Sequence, residues 1–557
     1  MLGNENTTCS SQNYYTIVDR GDDAKPFVTI AILFVLVMGV WVLWLRPSLE
    51  RRQPHPSIPM IPNSHWLLGH LFWLLRLGYL ERMRSLAEHA DERGRCSIWM
   101  GILPSIALTT PADAKQLLWK TQNRQSPPIF KLHFGRLIGP RNLLMMNGKE
   151  WKYYQSALRT ALSRLDPSVL ESITKTTTEI LTGNLKAKIK RAGATSSIEI
   201  DSIQALMKMI TMDIFGRSVF SHDFECCSKV DLCDFARDFE FMERDVIDRC
   251  TKHILLPQNL LYWIPTRRNS KFNEKRSLVR GLLKNILQKQ RSNGKVVNDN
   301  IVSKILEAHT KADATPTTKS SDFAALSDED LVDILLSILL AGYETVSTAL
   351  TYAIFLITRH PEWEKRCLEE IDAATYSDDN NKKQSSDDKM LKLPTCRGAI
   401  MEALRLYPVA PGSSRTLEKP LTFKDGVTIP KGCQAGASFW LIHRNERNFP
   451  KPLEFRPDRW IPDSRRHHCC VSTNVCEHGG ANDSIPAGDS DAFFAFSGGA
   501  RSCPGQNFAL REATFAFSSL IKDLRFHIDP DYELDIEYKG IVQGPKGGIP
   551  ARVSIRT

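Results

Sequence analysis

The sequence predicts a mainly α protein with a smaller β part, an α+β body carried on one N-terminal transmembrane helix. Three observations predict it. A run of 19 uncharged residues, Phe27 to Leu45 (FVTIAILFVLVMGVWVLWL), comes close to spanning a ~30 Å hydrocarbon core at about 1.5 Å per residue. Helical periodicity then dominates from Pro111 to about Leu406. Strand patterns are confined to a turn-linked pair over Cys96–Thr109, a short stretch at Leu421–Ile429 and the last 30 residues.

In chain order, residues 1–25 form a polar tail, 26–46 the anchor, 47–65 a hinge and 66–557 the body. Arg46, Arg51 and Arg52 come after the apolar run, against Arg20 and Lys25 before it. The positive-inside rule therefore puts the body in the cytosol and the tail in the lumen of the endoplasmic reticulum. The sequon Asn6-Thr7-Thr8 suits a lumenal tail. Pro47, Pro54, Pro56, Pro59 and Pro62 make the hinge a semi-rigid spacer. Two insertions interrupt the body. Residues 375–389 are polar and low in complexity, and so expected to be disordered. Residues 462–491 carry His467, His468, Cys469, Cys470, Cys476 and His478, in a spacing that fits no zinc motif; a flexible loop is the simpler reading. The apolar stretch Cys250–Pro265 is either core or a patch dipping into the membrane interface.

Composition narrows the class. With 42% hydrophobic and 24% charged residues the chain is globular. Its charge of +10 is spread along the chain without a nucleic-acid motif, so an acidic protein partner or a membrane surface accounts for it. Thirteen irregularly spaced cysteines argue against a disulfide scaffold and for a reducing compartment.

One cysteine stands apart. In FSGGARSCPGQNFAL, Cys503 comes after Gly498, Gly499 and Arg501 and precedes Pro504 and Gly505. Glycines allow backbone N–H groups near a buried thiolate, and Pro504 suits the first position of a helix whose N-terminus would lower the thiol pKa. A single thiolate without a second ligand cluster suits haem better than zinc or an iron–sulfur cluster. The pattern Phe496-x-x-Gly499-x-Arg501-x-Cys503-x-Gly505 resembles the haem-binding signature of the cytochrome P450 family.

The resemblance extends further. Ser327 and Asp330 are spaced as a capping box before a run apolar nearly all round. Within it, Ala341-Gly342-Tyr343-Glu344-Thr345 matches the family's oxygen-activation motif. Gly342 and a Thr345 hydroxyl bonded to the Ala341 carbonyl are expected to loosen the helix locally. Glu402-Ala-Leu-Arg405, with Leu406-Tyr407-Pro408 directly after it and Phe455-Arg456-Pro457-Asp458-Arg459-Trp460 later, is similar to the family's Glu–Arg–Arg triad.

The resemblance implies a set of roles. Cys503 is the axial ligand to the iron of haem b. Arg501, Arg415 and Trp151 hold the propionates, while Phe496, Gly499 and Gly505 shape the loop. Glu344 and Thr345 deliver protons, and Glu402, Arg405 and Arg459 are structural. Where the family has arginine one turn after the tryptophan this chain has Gln155, with Lys152 and Arg159 as the nearest cations. Electrons come from NADPH through a flavoprotein reductase, with cytochrome b5 a second donor. One atom of O2 enters a fatty acid, sterol or other isoprenoid under a roof built from Gln125–Leu144, including Phe130, Phe134 and Ile138, with Val409–Ser413 as a wall. The competing readings are a haem-thiolate isomerase or dehydratase acting on lipid peroxides, and a haem sensor or carrier.

Overall fold

The computed structural model describes residues 34–39 and most of 54–556. Outside it lie 1–33, 40–53, 253–261, 293–301, 304, 307–326, 381–391, 462–489 and 557, with short gaps at 63–64, 66–68, 71–72, 74–75, 101–102, 125–127, 192, 194–196 and 540–541. The chain divides into two units, Met1–Gln53 and Pro54–Thr557. In the first, residues 34–39 are helical and Phe34, Val35, Leu36 and Val37 are exposed; the rest of the expected anchor, the sequon and the Cys/His-rich stretch lie outside the described residues. The second unit begins inside the proline-rich stretch. Ile58 and Ile61 are buried, Met60 bridges Ser97, and the Pro59 carbonyl accepts from the Ser97 N–H at 2.7 Å. Residues 54–62 are thus part of the body rather than a free spacer.

α1 (Tyr79–Glu88) leads into β1 (Arg95–Met100) and β2 (Leu103–Leu108), the expected antiparallel pair, with Cys96 opposite Ala107. α2 (Pro111–Lys120) starts with proline, whose missing N–H is not needed in a first turn. Next come α3 (Pro128–Ile138), α4 (Gly148–Arg164), α5 (Pro167–Arg191), β3 (Ser197–Ile200), α6 (Ile203–Phe215), α7 (Asp234–Lys252) and α8 (Arg267–Ser292). α9 (Asp328–Thr358) begins at the Ser327–Asp330 capping box, which forms in both directions. Among the described residues it is the one helix long and apolar enough to cross a membrane, yet 83% of that stretch is buried. It is a core helix, and each leucine or isoleucine it buries contributes about 1.5–3 kcal/mol.

α10 (Pro361–Asn380) runs into the region expected to be disordered. Thr375 stays in the helix because its hydroxyl donates to the Ile371 carbonyl at 2.8 Å and accepts from Lys522 Nζ at 3.2 Å. The remaining elements are α11 (Pro394–Leu406), β4 (Gly412–Thr416), β5 (Leu421–Thr422), β6 (Thr428–Ile429), β7 (Gln434–Ser438), α12 (Phe439–His443), α13 (Gln506–Asp523), β8 (Leu524–His527), β9 (Ile536–Lys539), β10 (Val542–Pro545) and β11 (Ala551–Ile555). The main sheet has the order β1-β2-β7-β4, and β7 pairs in parallel with β2, Ala435 beside Ile106. That pairing joins residues more than 300 positions apart and brings the loop after α2 beside β4. Sequence periodicity misses β3, β4, β7 and β8. They are short, and QAGAS and GSSRT are too poor in large apolar residues to show alternation.

Candidate active site

The segment before α13 folds back on itself. The Cys503 N–H donates to the Phe496 carbonyl at 2.9 Å, closing a loop in which both residues are half-buried. The glycines serve a different neighbour than expected. A Cβ on Gly499 (φ +66°) would meet the Leu118 carbonyl at 2.2 Å, and one on Gly498 would meet the Trp119 ring at 2.4 Å. They let the loop seat against the end of α2. Gly505 alone turns its N–H toward the cysteine. Pro504 is not in a first helical turn either, since α13 begins at Gln506 with Gly505 as its cap. Burial pushes the Cys503 thiol up, and the Gly505 N–H and Arg159 oppose this without outweighing it.

Beside this loop stand three arginines with no carboxylate partner among the described residues. Arg501 stacks 3.7 Å over the buried Trp151 ring and donates to the carbonyls of Gln122 (3.0 Å) and Met146 (2.5 Å) and to Asn147 Oδ1 (2.9 Å). Arg415 is fully buried. Its Nη1 donates to Ser413 Oγ at 2.7 Å and to the Ser414 carbonyl at 2.9 Å, while Nε and Nη2 have no partner. Arg124 donates to the same Ser413 hydroxyl at 3.0 Å. Burial lowers the pKa of Arg415 to about 9, with Arg124 and Arg501 adding repulsion; burial and Arg124 lower Arg501 to about 9 as well.

Such a cluster calls for an anion, and unsatisfied buried nitrogens beside a cysteine loop fit the two propionates of a haem. Sequence reasoning missed Arg124; the signal was lost because only the β2–β7 pairing brings the segment after α2 to β4. Gln155 does not take the place of a cation. Its Nε2 donates to the Ala500 carbonyl at 3.2 Å, Lys152 is exposed, and Arg159 reaches only Ser502 Oγ at 3.4 Å.

α9 carries the second half of the site. From Leu331 to Ile357 every residue is buried except Ala341, Gly342 and Thr345, which form one accessible stripe. The helix runs without a break through this stretch. Thr345 Oγ1 does donate to the Ala341 carbonyl at 2.6 Å. Gly342 instead admits the Phe215 ring, which a Cβ would meet at 2.1 Å; Phe215 also packs edge-on against Phe508 at 6.2 Å, linking α9 to the helix after Cys503. Glu344, next to the stripe, is 1% exposed and its Oε2 lies 3.0 Å from Lys208 Nζ.

Glu402, Arg405 and Arg459 come together and are all buried. Arg405 grips Glu402 in bidentate fashion at 2.7 and 2.9 Å, and Arg459 Nε donates to it at 3.2 Å. Trp460 Nε1 (2.9 Å) and the Arg456 N–H (3.1 Å) complete the carboxylate's shell. His443 connects this cluster to the cysteine loop. Burial, with the Arg405 and Arg444 charges, lowers its pKa to about 3, so the ring is neutral. The Phe494 N–H donates to Nε2 at 2.8 Å, which leaves Nδ1–H to donate to the Arg405 carbonyl at 3.2 Å.

Of the expected roof, Phe134 and Ile138 are buried in the core and the Phe130 side chain lies outside the described residues. Val409 is buried, and Ser413 belongs to the arginine cluster. Tyr262 is buried at the end of the Cys250–Pro265 stretch, whereas Trp263 points outward. Among the described residues no group of histidine, cysteine and acidic side chains could hold a metal ion of its own.

The comparisons agree with this geometry. The chain is 27% identical over 514 residues to cytochrome P450 4A14 of Rattus norvegicus, covering 92% of this chain and 91% of that one. To cytochrome P450 4X1 of Homo sapiens it is 24% identical, over 94% and 96% of the two chains. The fold is shared with the crystal structure of the cytochrome P450DA heme domain, at a TM-score of 0.69 and 20% identity over 90% of this chain and 98% of that one. The family model for cytochrome P450 matches residues 59–550. The chain belongs to the cytochrome P450 family, and is a monooxygenase using haem, dioxygen and electrons supplied by a reductase.

Proposed function

We propose that this monooxygenase hydroxylates or epoxidises a lipophilic small molecule, a fatty acid, sterol or other isoprenoid, with Glu344 and Thr345 as its proton-delivering pair. The observation that carries the reading is the accessible stripe of α9, where Thr345 alone presents a hydroxyl. The 2.6 Å bond to the Ala341 carbonyl parks that hydroxyl's own proton on the helix and leaves the oxygen free to accept from a neighbour; to pass a proton on, the hydroxyl turns from Ala341 toward the acceptor and gives up this proton as it takes another. Glu344 stands one residue away as the acid that supplies it. Haem b, when bound, supplies the activation of dioxygen. Cys503 would hold its iron, Arg124, Arg415 and Arg501 its propionates, and Trp151 the stacking surface under Arg501.

The electrons would come from NADPH through a flavoprotein reductase, with cytochrome b5 a second donor. Residues 26–46 would anchor the body on the cytosolic side of the endoplasmic reticulum, with residues 1–25 in the lumen. The test is Thr345→Ala. Haem content, substrate binding and NADPH oxidation should persist, while product per NADPH falls by up to the hundred- to ten-thousandfold that positioned proton transfer contributes. Full coupling in this variant would sink the relay. Turnover of lipid hydroperoxides by the wild type without a reductase would replace the reading with that of a peroxide isomerase.

A further inference from the structure

Glu344 is buried, so an acid that gives up protons there must be recharged through the protein. Its carboxylate meets one described ionisable partner, Lys208 of α6, at 3.0 Å. Lys208 is 5% exposed and lies 2.6 Å from Glu240 Oε1 of α7. The Glu240 side chain is 15% exposed, and its other oxygen is 3.7 Å from Arg244, which stands in water at 82% exposure. A file of ionisable groups therefore runs from solvent to Glu344: the Lys208–Glu240 link is a hydrogen bond, and the Lys208–Glu344 link is an ion-pair contact in which Oε2 accepts no aligned hydrogen bond. The other titratable groups facing it are Glu243 of α7, Tyr343 of α9 and Cys233 just before α7. Burial acts to lower the Lys208 pKa, but the carboxylates of Glu344, Glu240 and Glu243 outweigh it and hold the ammonium charged. An ammonium among carboxylates in this interior is a poor way to gain stability, because both partners lose their hydration.

We infer that Lys208 and Glu240 form the arm that recharges Glu344 with protons from solvent. Glu240 takes a proton from water at the surface and passes it to Lys208, whose ammonium, swung into line with Glu344 Oε2, gives it a different N–H proton in the same event. Lys208 ends as it began, Glu240 is again a carboxylate, and one proton has moved from water to Glu344. The inference rests on the relay proposed above, so its test separates the two.

Glu240→Gln keeps shape and the Lys208–Glu344 pair but cannot pass a proton. Lys208→Arg keeps the charge and the ion pair, but a guanidinium does not release its proton. In both, haem content and substrate binding should match wild type, while product per NADPH drops about tenfold or more and the solvent isotope effect on product formation rises. A readout independent of turnover is infrared spectroscopy of Lys208→Met. Without its counter-charge, Glu344 should gain a protonated-carboxyl stretch that disappears in Lys208→Met/Glu344→Gln. If Thr345→Ala uncouples while Glu240→Gln and Lys208→Arg stay at wild-type coupling and isotope effect, the arm is wrong and the relay stands. If Thr345→Ala stays coupled, the relay itself is wrong. Should Lys208→Met fail to fold, the first two variants still decide.

Discussion

Arg405 and Arg415 are both fully buried and ten positions apart, yet they are built for opposite ends. All five N–H groups of Arg405 are used: two on Glu402, the others on the carbonyls of His443, Pro452 and Glu454. Arg415 uses Nη1 alone and leaves Nε and Nη2 without partners, beside two other arginines. A saturated guanidinium is held by the fold and holds it. An unsaturated one is a cost to the fold that a ligand can relieve. Satisfaction, rather than burial, separates the cluster proposed as structural from the cluster proposed to hold the cofactor.

The largest effect should come from breaking the saturated side. Arg405→Ala takes the bidentate partner from Glu402, leaving Arg459, Trp460 and the Arg456 N–H, and orphans three carbonyls. It should cost about 3–5 kcal/mol, a large share of a typical domain's stability; near-UV circular dichroism and thermal melts of the purified protein check this. Melts close to wild type would dissolve the contrast. Cys503→Ser should remove the thiolate-haem absorption band seen with CO on the reduced protein, while leaving the Arg405 cluster and secondary structure intact. A retained band would reassign the ligand.

Arg415→Leu sharpens the comparison from the other side. Losing one or two charge-assisted bonds, at about 1.5–3 kcal/mol each, should weaken haem retention at least tenfold to hundredfold in a transfer assay to apomyoglobin. The apoprotein should be as stable as wild type or more so, because a desolvated cation with idle nitrogens has gone. Reduced apoprotein stability would put Arg415 in the same structural class as Arg405.

The smallest effect concerns Glu512 of α13, fully buried with neither oxygen partnered, whose carboxyl burial pushes well above its ordinary value. The folded state keeps this proton where the unfolded chain has lost it, so stability falls as pH rises above the unfolded value of about 4.3. Glu512→Gln should therefore melt near wild type at about pH 5 and progressively above it toward about pH 8. A loss independent of pH would mean the carboxylate has a partner that the glutamine cannot replace.

What the chain announced by itself was local. The Cys503 loop, the capping box of α9, the Thr345–Ala341 bond and the β1–β2 pair rest on neighbours within a few residues, so their chemistry is written in short spacings. The Glu402 motif was legible only through Leu406-Tyr407-Pro408 and the later Arg459 segment, since Glu-x-x-Arg recurs at Glu81–Arg84 and Glu92–Arg95. Tertiary structure decided the rest. The glycines before Cys503 answer to α2, Gly342 answers to Phe215, and Arg124 reaches Ser413 only because β2 and β7 pair in parallel. Glu344 meets Lys208 across two helices 136 positions apart. Spacing along a chain can specify which groups share a turn or a helix face. Which cation faces which acid in a low-dielectric interior depends on how those faces cross, and that is settled when the core packs.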